Sequence, residues 1–342
     1  MSLPPTLYLD AIETDLRAAL ATREGPAAPL YGMMQYHVGW LDASLAPVEA
    51  PRGKRLRPLM CLLACEAAGG DWRSALPAAS AVELVHNFSL IHDDIEDNSE
   101  TRRHRPTVWS LWGIPQAINT GDAMWAVARQ TCHRLTAAGH PPERTLRVMA
   151  TLDEACLALC TGQYLDLAFE QQETVSLADY MQMIGGKTAA LLSAALAIGA
   201  ILASADDEVV ASYAGFGREL GVAFQITDDI LGIWGDPEVT GKSAASDILA
   251  RKKTLPTLHA LAWERAQGGS ELAQLYAQPS LTEGDLPRVL AILERAEARA
   301  FAEELAQRHI DRTLQHLDEA GGCGAAQQAL RELALSLVGR TI

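Results

Sequence analysis

An all-α fold follows from three features of the 342-residue sequence. Apolar residues recur at helical spacing almost throughout, the Val/Ile/Thr alternation of strands is missing, and proline and glycine clusters separate long Ala/Leu-rich segments. The first predicted helix, 5–22, starts at Pro5 and ends before Gly25 and Pro26. The next, 28–46, runs to Pro47, and 54–69 lies between Gly53 and the Gly69, Gly70 pair. Segment 74–98 carries an apolar run into an acidic end. Segment 114–138 opens at Gly113 and stops at Gly139, and 142–170 starts behind Pro141. Segments 176–203 and 206–234 follow, the first containing the most apolar stretch, Thr188 to Ala203, and the second stopping at Gly235. Helices at 254–267, 283–319 and 325–339 complete the chain. Such long helices with short connections and no Pro/Ser-rich linker predict one large bundle, a single domain over 1–342, with an apolar cavity at its centre.

Bulk composition narrows the function. Hydrophobic residues make up 49% of the chain, enough for a sizeable core, and the net charge of −15 argues against general binding to nucleic acid or to anionic membranes. Six cysteines are too few and too irregularly spaced for a disulfide framework, and they read as thiols packed as small hydrophobes. The N-terminal residues lack a signal-peptide pattern, and no run reaches 18 uninterrupted apolar residues. A cytoplasmic protein without stable membrane insertion is therefore expected.

Two acidic motifs stand out. In SLIHDDIEDNSETRRHRPTVW, from Ser89 to Trp109, Asp93 and Asp97 fall four residues apart, so in a helix their carboxylates share a face about 6 Å apart. A solvated acidic helix end is the commoner meaning of such a string. Here it closes an apolar helix, where the macrodipole disfavours acid, and hard cations such as magnesium join carboxylate pairs to phosphates. In GVAFQITDDILGIWGDPEVTGK, Asp228 and Asp229 sit among apolar neighbours, and burying them requires cations.

Basic residues follow the same segments. The chain has only five lysines: Lys54 beside Arg55 and Arg57, Lys187 in GGKTAALL, and Lys242, Lys252 and Lys253 with Arg251 after the second motif, while Arg102, Arg103 and Arg105 follow the first. Arginine forks match phosphate oxygens, and lysine adds mobile charge. Acidic clusters for magnesium and basic clusters around an apolar bundle suit a substrate with a diphosphate head and a hydrocarbon tail. No nucleotide-binding glycine loop follows a strand.

From GKRLRP at 53 through HDDIEDNSETRR, GDAM, GQYLD, GGKTA, FQITDDILG and GDPEVTGK to RKKTLP at 251, the sequence resembles the trans-isoprenyl diphosphate synthases, or polyprenyl synthetases. The resemblance implies an all-α bundle, usually homodimeric, with both motifs lining a central cavity. It implies that Asp93, Asp97 and Asp228 hold magnesium, typically three ions, with Asp94 and Asp229 beside them. Arg102, Lys187 and Lys242 are implied for the allylic diphosphate, and Lys54, Arg57, His86 and Arg103 for isopentenyl diphosphate. Thr188 and Gln225 would face the developing carbocation, and Gln163, Asp166, Asp247 and Lys253 would complete the polar lining. Phe88, five residues before Asp93 and about 7.5 Å along the helix axis, is implied as the floor of the product tunnel. It points to geranylgeranyl diphosphate as main product, with farnesyl or longer chains as alternatives.

The sequence departs from the family pattern at Gly232, where the second motif usually has a fifth aspartate, and at Arg52, His104 and Trp109. Asp236 is a candidate to replace the carboxylate absent at 232. A class I terpene cyclase shares the metal clusters but needs no isopentenyl diphosphate site, so Lys54, Arg57, His86 and Arg103 favour condensation. A non-catalytic partner subunit would show an eroded first motif, and this one is intact.

Overall fold

A computed structural model describes residues 5–48, 50, 53–235, 245–322 and 324–339. It is all-α apart from one two-stranded hairpin among the described residues. The helices are α1 Pro5–Ala19, α2 Ala28–His37, α3 Leu56–Ala67, α4 Leu76–Glu96, α5 Val108–Trp112, α6 Ile114–Ala137, α7 Pro142–Gln171, α8 Leu177–Ile184, α9 Ala190–Leu202 and α10 Asp207–Trp234. After them come α11 Ser246–Leu249, α12 Leu255–Ala266, α13 Glu271–Tyr276, α14 Leu286–Arg295, α15 Ala298–Glu319 and α16 Ala325–Val338. The hairpin pairs β1, Thr101–Arg102, with β2, Arg105–Pro106.

The chain divides into two compact units. The first comprises residues 1–154, 194–211 and 322–330. Within it α4 packs on α6, α3 and α1, and Ile12, Leu16, Met60, Leu62 and Leu84 are fully buried. Helix α4 is apolar on nearly every face from Pro77 to Val85, so it has to lie inside, and its polar Asn87 and Glu83 are bonded to each other.

The second unit comprises residues 155–193, 212–321 and 331–342. One buried cluster joins Phe169, Tyr180, Ile184, Ile226 and Leu255, and another joins Ile233, Ile248, Leu272, Leu293 and Ala298. Ser176 and Asp179 form a reciprocal cap that starts α8. Residues Leu177–Leu202 are long and apolar enough to span a membrane, but 72% of an apolar 18-residue stretch within them is buried inside the protein, as in a core helix.

Three departures from the predicted elements have local causes. The 28–46 helix stops at His37, because Gly39 takes φ +92° and the Asp42 carboxylate receives the Ser44 and Ala46 amides, forming a turn. The 283–319 segment is divided by Glu297, at φ +51°, into α14 and α15. Within 176–203 the helix widens to a π turn at Gly185–Ala189.

Candidate active site

The first acidic motif lies where α4 ends. Asp93 is partly exposed, Asp94 buried, and Asp97 exposed at the C-cap. Asn98 at φ +51° terminates the helix. The negative helix end and three carboxylates need positive charge, and Arg102 supplies it. Its Nε donates to Asp94 Oδ1 at 2.6 Å and its Nη2 to Asp93 Oδ2 at 3.0 Å. Burial still pushes the Asp94 carboxyl up to about 6 against the pull of Arg102, and Asp94 Oδ2 is buried without a hydrogen-bond partner.

Arg102 reaches back because the chain reverses in the hairpin, whose turn residues Arg103 and His104 have φ +52° and +61°. Two successive left-handed residues match the turn that suits strand twist, a place where Gly or Asn is usual. The hairpin also gives the other arginines separate tasks. Arg105 donates to the carbonyls of Tyr36 and Leu41 and lies over the Tyr36 ring, so its charge is spent on structure. Trp109 donates its indole N–H to Ser99 O at 2.9 Å, which ties α5 to the end of the motif.

Arg103 faces the basic segment before α3. A Cβ on Gly53 would stand 2.8 Å from Arg103 Nη2, so any larger residue there would displace the guanidinium from this position. Lys54 follows, exposed. Arg57 Nη1 lies 3.4 Å from His86 Nε2. Because arginine only donates, His86 Nε2 accepts and its proton sits on Nδ1. Burial, then Arg57 and Arg103, hold His86 well below the usual histidine range, so the ring is neutral. Arg57, His86 and Arg103 are thus brought to one place in the first unit, with exposed Lys54 following Gly53 in the chain. Arg55 is turned away from them. It is buried in an ion pair with Glu83 at 2.8 Å and fixes the start of α3 from inside. Phe88 is buried one turn before His92, whose ring packs against Gly121 of α6.

In the second unit, Asp228 is exposed on α10 and Asp229 is buried. Both Asp229 oxygens are engaged: Oδ2 accepts from Tyr180 Oη at 2.6 Å and the Leu255 amide at 2.9 Å, and Oδ1 from Gln225 Nε2 at 3.1 Å. Burial pushes its pKa up to about 6 although these three donors pull it down. Thr188 Oγ1 donates to Gln225 Oε1 at 2.8 Å. Lys187 pairs with Asp166. The π turn bearing Lys187 and Thr188 packs backbone to backbone on α7, since a Cβ on Gly162 would lie 2.7 Å from the Gly186 carbonyl carbon and one on Gly186 2.5 Å from Ala158 O. Lys253 donates to the carbonyls of Phe169 and Gln172 at the C-terminal end of α7. Gln163 is partly buried on α7. Lys242, with Arg52 and Asp236, lies outside the described residues.

The side chain absent at Gly232 leaves a place that is filled. A Cβ there would come 2.5 Å from Asp247 Cγ, and closer to its Oδ2, so the Asp247 carboxylate occupies the space beside the second motif.

Among the described residues no three His, Cys, Asp or Glu side chains converge as a ready-made metal cage. The donor set nevertheless suits magnesium, which binds through one or two carboxylates and completes its shell with water and phosphate oxygens. Asp93 and Asp97 offer such a pair, and the buried, unpartnered Asp94 Oδ2 beside them is an oxygen still in need of a positive neighbour.

A family model described as polyprenyl synthetase matches residues 38–293. The chain is 40% identical over 327 residues to a geranylgeranyl diphosphate synthase of Mycobacterium tuberculosis, covering 92% of both chains. It is also 40% identical over 315 residues to a (2E,6E)-farnesyl diphosphate synthase of Mycobacterium bovis, covering 90% of this chain and 85% of the other. Among solved structures, a polyprenyl synthetase from Streptomyces coelicolor superposes with a TM-score of 0.88 at 36% identity, covering 97% of this chain and 98% of that one. A geranylgeranyl pyrophosphate synthetase from Pyrococcus horikoshii gives 0.86 at 32% identity, with 98% and 97% covered. On this agreement of motifs, fold and relatives, the chain belongs to the polyprenyl synthetase family.

Proposed function

We propose that the chain is a trans-prenyltransferase that condenses isopentenyl diphosphate with allylic diphosphates of five to fifteen carbons. The observation that supports this reading is the pairing of Arg57 with neutral His86 and the approach of Gly53 to the Arg103 guanidinium, and Lys54, next to Gly53 in the chain, is assigned to the same diphosphate. A cyclase has no use for this second diphosphate site.

Magnesium, proposed as three ions, supplies positive charge at the phosphate oxygens when bound, and Asp93, Asp97 and Asp228 are its proposed holders. Asp94 and Asp229 stand as supports, Asp94 tied to Arg102 and Asp229 to three donors. Arg102, Lys187 and Lys242 are assigned to the allylic diphosphate. Their positive charge favours departure of pyrophosphate and breaking of the allylic C–O bond. Thr188 and Gln225 turn oxygen toward the cation that forms. The double bond of isopentenyl diphosphate then makes the new C–C bond, and a proton leaves to the departing pyrophosphate, giving a product five carbons longer. Lys253, bonded at the end of α7 with Asp166 and Gln163 nearby in sequence on that helix, is kept as lining.

Phe88 is the proposed tunnel floor, and geranylgeranyl diphosphate the proposed main product. The relatives named above divide between geranylgeranyl and farnesyl products at the same 40% identity, so the product assignment rests on Phe88. The enzyme is further proposed to act as one domain, as a homodimer and in the cytoplasm, without nucleic acid or membrane insertion. Incubation with magnesium, isopentenyl diphosphate and C5, C10 or C15 primers, with mass analysis, tests the reading. A C20 diphosphate is expected, and absence of any elongated diphosphate contradicts it.

A further inference from the structure

We infer that Asp229 and Tyr180 are positioning residues that set the hydrogen-bond polarity of Thr188 and Gln225, so that these two side chains present lone pairs, not hydrogens, to the allylic cation. The inference rests on the carbocation role proposed for Thr188 and Gln225. Asp229 is the fixed point. It is held by the phenol of Tyr180 and by the first amide of α12, and a carboxylate so placed can only accept. Gln225 lies one turn earlier on α10 and must therefore turn its amide nitrogen toward Asp229 Oδ1. Its carbonyl oxygen is thereby forced toward Thr188, whose single hydroxyl proton is spent on that oxygen. Thr188 Oγ1 has only acceptor capacity left, and Gln225 Oε1 keeps a second lone pair. The direction of every bond is dictated from the buried acid outward. Tyr180 packs in the apolar cluster of the second unit, and its hydroxyl is the reason a buried aromatic there is tyrosine and not phenylalanine.

Asp229→Asn supplies the test, because an amide can meet Gln225 with its own N–H. Gln225 then turns over, its nitrogen faces Thr188, and the Thr188 hydroxyl proton is released toward the cation. The probes are a geranyl diphosphate analogue carrying an ammonium group at the cationic carbon and its uncharged saturated isostere, both bound in magnesium. The wild type is expected to prefer the ammonium analogue. In Asp229→Asn the ratio of the two affinities should fall about tenfold, the scale of one hydrogen bond reversed, because the ammonium analogue loses more affinity than the isostere. Tyr180→Phe keeps the ring but removes one of the two donors that hold Asp229 Oδ2, so the carboxylate is freer to turn away from Gln225 and the ratio should fall about threefold; this variant carries the test if Asp229→Asn fails to fold. An unchanged ratio, or equal weakening of both analogues as loss of a metal ligand or of the α12 cap would give, overturns the inference. A wild type without preference for the cation removes the carbocation role itself and the inference with it, whereas elongation assays report on the proposed reaction separately.

Discussion

Placing aspartate at position 232 should damage the protein, although it gives the second motif the residue found in the family pattern. The added Cβ would stand 2.5 Å from Asp247 Cγ, nearer than real Cβ atoms approach, and both residues are buried. Gly232→Ala isolates the steric part. Overpacking of this kind costs about 1–3 kcal/mol, and replacing a helical glycine returns up to about 1 kcal/mol, leaving a loss of about 0–2 kcal/mol. Gly232→Asp adds a second carboxylate roughly 5 Å from that of Asp247, and at an effective dielectric of about 20 their repulsion is about 3 kcal/mol. Asp229, already pushed up to about 6 by burial with Asp247 contributing, has little room for a further negative neighbour. Urea unfolding of the metal-free protein should therefore show a loss of about 3–5 kcal/mol for Gly232→Asp. The double variant with Asp247→Ala should recover at least about 2 kcal/mol of it, because the vacated space admits the new side chain. Wild-type stability in Gly232→Asp, or strict additivity in the double variant, would refute the claim that Asp247 fills the missing position.

Three further outcomes follow from single contacts. Gly53→Ala should push Arg103 out of place and raise KM for isopentenyl diphosphate several-fold, leaving KM for the allylic primer near the wild-type value in steady-state kinetics. His104→Gly relieves a left-handed residue at φ +61°. Relief of about 1–2 kcal/mol less the entropy of glycine should stabilise the fold by about 0.5–1 kcal/mol in chemical denaturation. Phe88→Ala should lengthen the products seen by mass analysis, at a stability cost of about 3–5 kcal/mol for the cavity left by a buried ring.

The helices were legible because proline and glycine mark their ends. Gly113 and Pro115 open α6 and Gly139 closes the turn after it, as the sequence indicates. Breaks made by residues that normally continue a helix were not. Glu297 interrupts α14 and α15 in a left-handed conformation that its own side chain does nothing to favour, and the Arg103–His104 turn contains no glycine to announce a hairpin. In the site, Arg102 meets Asp93 and Asp94, and Arg57 meets His86, all of them residues that the motifs had named. Spacing does not tell which of several adjacent charges faces inward. Arg55 and Arg105 carry the same charge as Arg57 and Arg103, yet they are bonded to Glu83 and to backbone carbonyls. Tyr180 was missed for a similar reason: at helical spacing it is an ordinary core aromatic, and only the fold brings its hydroxyl to Asp229. The sequence marks Gly232 as a departure, while its compensation by Asp247, fifteen residues on, depends on how α10 and α11 pack.

Condensation at two distinct diphosphate sites is tested most directly by its stoichiometry. With magnesium, isopentenyl diphosphate and a geranyl primer, one pyrophosphate should be released for each isopentenyl diphosphate consumed, with products lengthening in five-carbon steps. Release of pyrophosphate to give a cyclic hydrocarbon, with isopentenyl diphosphate left unconsumed, would contradict it.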